Sequence, residues 1–583
     1  MIQTKLSEKS LTAVTMVIAT LLAYYYYFVH WDVPYNNDWY YFNSLALIVR
    51  SSVLHFKTLP ILNPWVCGGL DLLANPQNRI FSPMLLIDVA LQPQPANLIS
   101  LMIWCAFGFV GFKKLAMQMG ASISTSLIGS ALFVFGTWFG LHYAEGHIPF
   151  GAMQALPWTA YFAINWHKPK HILGLGALLS IMLLDGAVYA VIYSGMIIVT
   201  LIFTKTIPTD KPTSALRTHW LLLSTGVVAC ALIAAAKIIP VLYSIADRKA
   251  QLEFFEMTWP LLFDSLFNPN IDATTEAIGT RLKGWRMHEF GTYLSPIGWF
   301  AILLACVRSR SFGKTLLPLG LAAIFWIWVG SGFIPKHNPW LLFQKIPLIN
   351  NAHVQSRLFL LAFLFFCLAI TLSLDQIKSI RPIYFALAIA LLGEGVVVRN
   401  LSMFYAPPMY EPMIGSRIIT RDRIDKTLTG VGWMPRHYLD AENVGATNCY
   451  EPAFQPKHIQ GISNDNYRGE AFTNVEGAGN VSILTYKPNV MRLQWQLNTP
   501  SDITINANTL FGWNVHSGDG LLKTGKPTDL LTLLPAKLEG QAELHYEPSY
   551  LRWIVLAYFA GWILLLYCWL KIRKDCEQAN DAR

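Results

Sequence analysis

Met491-Arg492-Leu493-Gln494-Trp495-Gln496-Leu497 decides how this chain divides. Apolar and polar residues alternate with a period of two, the signature of a strand with one face in a core and the other in water. Ile503 and Ile505 repeat the pattern against Thr504 and Asn506. Phe511, Trp513 and Val515 precede a Gly/Asp turn, Ser517-Gly518-Asp519-Gly520. The spacing predicts antiparallel strands, packed as a sandwich, within a water-facing domain over 400–550. On either side the chain changes character. Residues 1–399 carry apolar runs of membrane-spanning length between short charged loops, and one last apolar run with a basic tail fills 551–583.

Composition agrees with a membrane protein. Of 583 residues only 14% are charged, and the mean hydropathy is +0.38, too apolar for a soluble protein of this size. The formal net charge of +9 excludes nucleic-acid binding less by its size than by its placement, because much of the excess lies in short loops between spans. Runs near twenty apolar residues cross a bilayer as helices, since lipid offers no partner to unpaired backbone groups. Spans are expected near 11–29, 96–118, 122–142, 149–166, 171–185, 187–204, 219–242, 294–308, 314–333, 357–374, 382–399 and 551–570, about twelve by length. Leu85 to Leu91 reads as a further short or re-entrant piece.

With the N-terminus cytoplasmic, every short inner loop is basic: Lys113-Lys114, His167-Lys168-Pro169-Lys170, Lys205 to Arg217, Arg308 to Lys314, Lys378 to Arg381, and Lys571, Arg573 and Lys574 in the tail. This fixes the orientation, with the C-terminus also cytoplasmic. Regions 30–95, 243–293, 334–356 and 400–550 then lie outside. The first run ends in Tyr24-Tyr25-Tyr26-Tyr27-Phe28 with no small-residue cleavage site, so it reads as a retained anchor with an aromatic belt. Of eight cysteines, Cys67 and Cys449 fall outside the membrane on one side, where a disulfide between them is compatible with an oxidising compartment.

Polar residues gather in the outer regions. Asp38 follows the first span and precedes an amphipathic stretch with Leu45, Ile48, Val49 and Phe56 on one face, expected to lie along the membrane surface. It reads either as a helix N-cap or as a general base whose pKa rises at a half-buried interface. Arg79 lies in the tight loop Gly68 to Pro83, and its planar fork suits a phosphate or a headgroup. Glu145 and His147, in Glu145-Gly146-His147-Ile148-Pro149, read as substrate-binding groups or as a polar turn; Asp185-Gly186 is similar. Arg248, Lys249, Arg281, Lys283, Arg286 and His288 break the positive-inside trend and point to an anionic ligand. Arg357 enters an apolar run, where a charge needs a partner. There is no Walker P-loop, HExxH or GxSxG.

Asn37-Asp38-Trp39, the Gly68-Gly69 to Pro83 loop, Ala155-Leu156-Pro157-Trp158, Lys237-Ile238-Ile239-Pro240, Ser356-Arg357-Leu358, Gly512 to Gly520 and Tyr546-Glu547-Pro548 occur in an order that resembles the YfhO-like bacterial membrane proteins of the GT-C superfamily of lipid-dependent glycosyltransferases. The resemblance covers nearly the whole chain. It implies an α-helical polytopic fold with an acidic first outer loop, in the bacterial inner membrane, and a polyprenyl-phosphate-linked sugar as donor for an envelope glycan. It moves Asp38 towards catalysis, with Arg79, Glu145, His147, Arg281, His288 and Arg357 binding substrate. Related first loops often carry a second acid where this chain has Asn36 and Asn37, so no metal is expected. A lipid or glycan transporter (flippase) and a non-catalytic envelope assembly factor are the rival readings.

Overall fold

A computed structural model describes residues 7–29, 38–207, 214–245, 254–269, 287–308, 312–346, 349, 354–403, 420–422, 444–446, 458–460, 465–526 and 529–581. The protein is a bundle of apolar helices followed by a β-rich region and a last helix. Among the described residues seven helices are long and apolar enough to cross a membrane: Pro93–Gln118, Ile123–Glu145, Trp220–Tyr243, Lys314–Ser331, Gln355–Ile377, Arg381–Asn400 and Leu551–Asp575. The expected number was about twelve. The other five expected spans are helical but short or interrupted. The first breaks at Tyr24, between Glu8–Ala23 and Tyr25–Val29. Another opens as a 3-10 turn, Ile148–Ala155, before Leu156–Ile164. Pro169–Leu184, Val188–Phe203 and Pro296–Arg308 are shorter than a straight crossing needs. Hydropathy counts apolar residues and does not see where a helix stops.

The helix Phe359–Ile377 forms the axis of the bundle; all of it but Asp375 and Gln376 is buried. By contrast Val14, Val17, Ile18 and Leu21 of the first helix and Trp553, Leu556, Phe559 and Ile563 of the last are exposed, as a lipid-facing surface requires. Broken helices leave carbonyls without an intrahelical donor. Arg399, fully buried, meets two of them: its Nε donates to Ala23 O (3.3 Å), where the first helix ends, and its Nη1 to Gly136 O (3.0 Å), where the Ile123–Glu145 span kinks. Its guanidinium also lies over the rings of Tyr24 and Tyr143, which spreads the charge onto aromatic faces.

The stretch after Asp38 is a helix, Asp38–Leu54, but its apolar face is covered by protein. Leu45, Ile48 and Val49 are buried against the short helix Leu85–Ala90 and the helix Pro93–Gln118. Arg50 donates to Val89 O at 2.5 Å. The piece at Leu85–Leu91 supplies the cover that the membrane surface was expected to give.

The β-rich region contains two four-stranded antiparallel sheets. In one, 479–487, 490–497, 539–546 and 513–518 are neighbours in that order; in the other, 520–522, 530–535, 503–508 and 471–473. Met491, Leu493, Trp495 and Leu497 are buried and Arg492, Gln494 and Gln496 exposed, as the alternation predicts. Strand Ile503–Asn508 is buried on both faces, because its polar side binds other chain segments: Asn506 exchanges hydrogen bonds with the Gln460 backbone, and Asn508 Nδ2 donates to Cys67 O (2.6 Å) and Gly69 O (3.1 Å). The expected turn at 517–520 is a crossing from one sheet to the other, with Gly518 at φ +107°. Phe511 is exposed.

The first loop is the seat of this region. Asn489, at φ +64°, accepts from Leu62 N (2.8 Å) and donates to Leu59 O (2.6 Å) and Thr58 Oγ1 (3.0 Å). Asp71 Oδ2 accepts from the hydroxyls of Tyr546 (2.8 Å) and Tyr550 (2.9 Å). Gly68, at φ +73°, has no room for a side chain; a Cβ would stand 2.7 Å from Ile459. Cys67 is disulfide-bonded; Cys449, the partner considered from sequence, lies outside the described residues.

Candidate functional site

The span Ile123–Glu145 ends at Gly146, whose φ of +94° turns the chain sharply. A Cβ there would lie 2.2 Å from Trp39 N, so only glycine lets this turn touch the start of the Asp38–Leu54 helix. The contact brings His147 Nε2 to 3.1 Å from Asp38 Oδ2. Asp38 is the first residue of its helix and is buried, with 8% of its surface exposed. Pro149 then starts the 3-10 turn in a position that needs no donor.

Two further turns complete the group. Met287–Glu289 brings His288 and Glu289; Gln355–Leu358 brings Ser356 and Arg357 to the head of the axial helix. His288 Nδ1 is 3.3 Å from Glu145 Oε1, and its Nε2 3.4 Å from Glu289 Oε1. Arg357 grips Glu289 with two nitrogens, Nε to Oε2 at 2.6 Å and Nη2 to Oε1 at 2.5 Å. Ser356 Oγ donates to Glu289 O at 2.5 Å. The guanidinium lies over Phe150 and Tyr189, 5.0 and 5.4 Å from the ring centres. His142, fully buried, places its Nδ1 2.7 Å from His147 Nδ1.

Electrostatics follow from this packing. Burial works to pull the His288 imidazole down, but the Glu145 and Glu289 carboxylates beside it outweigh that and push its pKa up to about 10. Burial works to raise Glu289, and the Arg357 charge with His288 holds it well below the usual carboxylate range. The cluster therefore offers a carboxylate–imidazole pair able to take a proton (Asp38–His147), an imidazole between two acids (His288), and one guanidinium nitrogen, Arg357 Nη1, not used by Glu289.

Five of the seven residues singled out from sequence thus meet: Asp38, Glu145, His147, His288 and Arg357. Arg79 does not join them. Its Nη2 donates to Asp88 Oδ1 (2.5 Å) and Asn97 Oδ1 (2.6 Å), inside a second polar knot. There Asn97 donates to Asn43 (2.9 Å), and Ser82 Oγ and Trp104 Nε1 both donate to Asp185 at 2.7 Å. Burial pushes Asp88 up to about 6 against the pull of Arg79, and raises Asp185 in the same way. Lys237 Nζ donates to the carbonyls of Asn75 (3.2 Å) and Asn78 (2.6 Å). This knot holds the first loop onto the bundle. Arg281, with Arg248, Lys249, Lys283 and Arg286, lies outside the described residues.

Sequence reasoning passed over Glu289 and His142 as site residues. Glu289 was legible as the single acid directly after His288 in a cationic stretch. His142 was legible as an ionisable residue inside an apolar span, three residues before Glu145, hence on the same helix face. No known protein-family description, curated protein or solved structure matches this chain.

Proposed function

We propose that this chain is a membrane glycosyltransferase, a YfhO-like member of the GT-C superfamily. It works in a bacterial inner membrane with both termini cytoplasmic and the β-region outside. It moves a sugar from a polyprenyl-phosphate carrier to a hydroxyl of an envelope glycan, with inversion. The observation that carries this reading is the convergence of Asp38, Glu145, His147, His288 and Arg357, from four separate segments, at the ends of apolar helices. Separate turns meeting around buried acids suit a reaction at the edge of a bilayer, where a lipid-borne donor arrives from the side.

The acceptor hydroxyl gives its proton to Asp38, whose orientation His147 fixes. Its oxygen forms the new bond to the anomeric carbon from the face opposite the phosphate. The bond from that carbon to the phosphate oxygen breaks, and its electron pair leaves with the polyprenyl phosphate. Arg357 Nη1 meets the charge that develops there. Arg79 has no part in this step; Asp88 and Asn97 occupy it.

Mass spectrometry of surface glycans in a strain lacking the protein, complemented with the wild-type chain or with Asp38→Asn, tests the reading. The wild type restores a sugar substituent, and Asp38→Asn lowers it about 100-fold or more with normal membrane levels. Full restoration by Asp38→Asn removes the acid from its role. Glycans unchanged by the deletion itself favour a transporter or an assembly factor.

A further inference from the structure

We propose that the meeting point of His147, His288 and Glu289 binds a divalent transition-metal cation, of the zinc, manganese or cobalt class. One ligand atom from each of the three residues lies within 4.8 Å of the others. The His288 Nε2 to Glu289 Oε1 separation of 3.4 Å matches the roughly 3.4 Å between two ligands that share a tetrahedral ion through ~2.1 Å bonds. The His147 donor lies within 4.8 Å of both. Two imidazole nitrogens and a carboxylate select this class over magnesium or calcium, which prefer all-oxygen shells.

Three further features support a cation. The first is charge: among the described residues Asp38, Glu145 and Glu289 gather beside one guanidinium, Arg357, an acid-rich setting that suits a cation. The second is the outer ring of partners. Glu145 stands at His288 Nδ1 (3.3 Å) and Asp38 at His147 Nε2 (3.1 Å), the carboxylate–histidine arrangement that orients metal ligands. Ser356 holds the Glu289 backbone, and Arg357 holds both oxygens of its carboxylate. The third is unsatisfied polarity: His142 Nε2 is buried and makes no hydrogen bond among the described residues, a cost that folded proteins rarely carry without use. The alternative is an ion-pair network neutralised by protonated imidazoles alone.

This inference stands on the ligand geometry and not on the sugar-transfer reading. The test uses the full-length chain purified in detergent, stripped with chelator and titrated with Co2+, whose visible absorption reports nitrogen and oxygen coordination; metal content after zinc or manganese loading is read by elemental analysis. About one ion per chain is expected, with a rise in thermal midpoint on binding. His288→Ala weakens Co2+ binding about 100-fold, and Glu145→Gln, which leaves all three ligands in place, weakens it about 10-fold. Either variant is read only where its unliganded chain elutes and melts as the parent does, and the Glu145→Gln arm serves if His288→Ala fails to fold. Substoichiometric metal with no visible band, or a band of equal affinity in both variants, overturns the proposal. One bound ion together with unchanged surface glycans in the deletion strain upholds it while removing the glycosyltransferase reading.

Discussion

Replacing Asp71 with alanine should undock the β-region from the first loop. Asp71 is buried and its carboxylate takes four hydrogen bonds: Leu73 N (2.8 Å) and Ala74 N (3.2 Å) at Oδ1, Tyr546 OH (2.8 Å) and Tyr550 OH (2.9 Å) at Oδ2. Hydrogen bonds to charged groups contribute about 1.5–3 kcal/mol each, and a buried donor left alone costs about 1–3 kcal/mol. The cost of burying the carboxylate, which pushes its pKa up, disappears on substitution and offsets part of this. A net loss of about 4 kcal/mol for local opening follows, equivalent to about 1000-fold in an opening constant. Native-state hydrogen exchange reads it directly at amides that span the joint: Leu62, bonded to Asn489, and Asn508, bonded to Gly68. Both should lose protection by about that factor, while amides inside strand 490–497 keep theirs. Tyr546→Phe removes one of the four bonds and should cost about 1–2 kcal/mol. Protection at Leu62 and Asn508 unchanged in the Asp71→Ala protein would refute the reasoning and make the tyrosine pair an ornament of a joint held by other contacts.

Asp88 supplies a pH test. Its pKa is raised to about 6 from an unfolded value near 3.9, so its contribution is fully present below about pH 4 and is lost as pH rises through 6. Roughly 3 kcal/mol of stability should disappear across that window, and Asp88→Asn should flatten the profile of denaturation midpoint against pH. Arg399→Met strands the carbonyls of Ala23 and Gly136; a loss of about 2–4 kcal/mol should appear as a lower SDS-unfolding midpoint. Gly146→Ala forces a Cβ against Trp39 N at 2.2 Å, at φ +94°, so the turn must move His147 away from Asp38. Glycan transfer should fall as far as in Asp38→Asn, with a stability cost of only about 1–3 kcal/mol, measured by complementation and thermal unfolding together.

The strand pattern at 491–497 and the apolar runs were legible because burial follows a period of two in the strand and hydropathy is continuous along the spans. The number of crossings was not, since it depends on where helices stop. Tyr24 and the 3-10 turn at 148–155 interrupt runs that hydropathy reads as whole. The candidate site shows the same division. Outer charges are visible as exceptions to a membrane sequence, so Asp38, Glu145, His147, His288 and Arg357 could be picked one at a time. Their meeting was invisible, because it is made by contacts between turns far apart in the chain, such as Gly146 against Trp39 and Ser356 against Glu289. Arg79 stands apart from this group for the same reason: nothing local says that Asp88 and Asn97 will engage its Nη2.

The helix breaks and the site have a common physical origin. A helix that crosses a bilayer without interruption presents its polar ends only to the water on either side. Here the Ile123–Glu145 span kinks at Gly136 and ends in the left-handed turn at Gly146, and the next segment restarts as a 3-10 turn. That arrangement sets His142, Glu145 and His147 together in one polar cluster. The freed carbonyl at Gly136 is met by Arg399, which also lies over Tyr24 and Tyr143, and Arg357 at the head of the axial helix stands over Phe150. Charges so far from water are expensive unless each has a partner. The pairs His147–Asp38, His288–Glu145 and Arg357–Glu289 answer that demand. A cluster rich in carboxylates attracts positive species, whether protons on its imidazoles or a metal ion. Its affinity for that species should therefore depend on Glu145 and Asp38 even though neither need touch it.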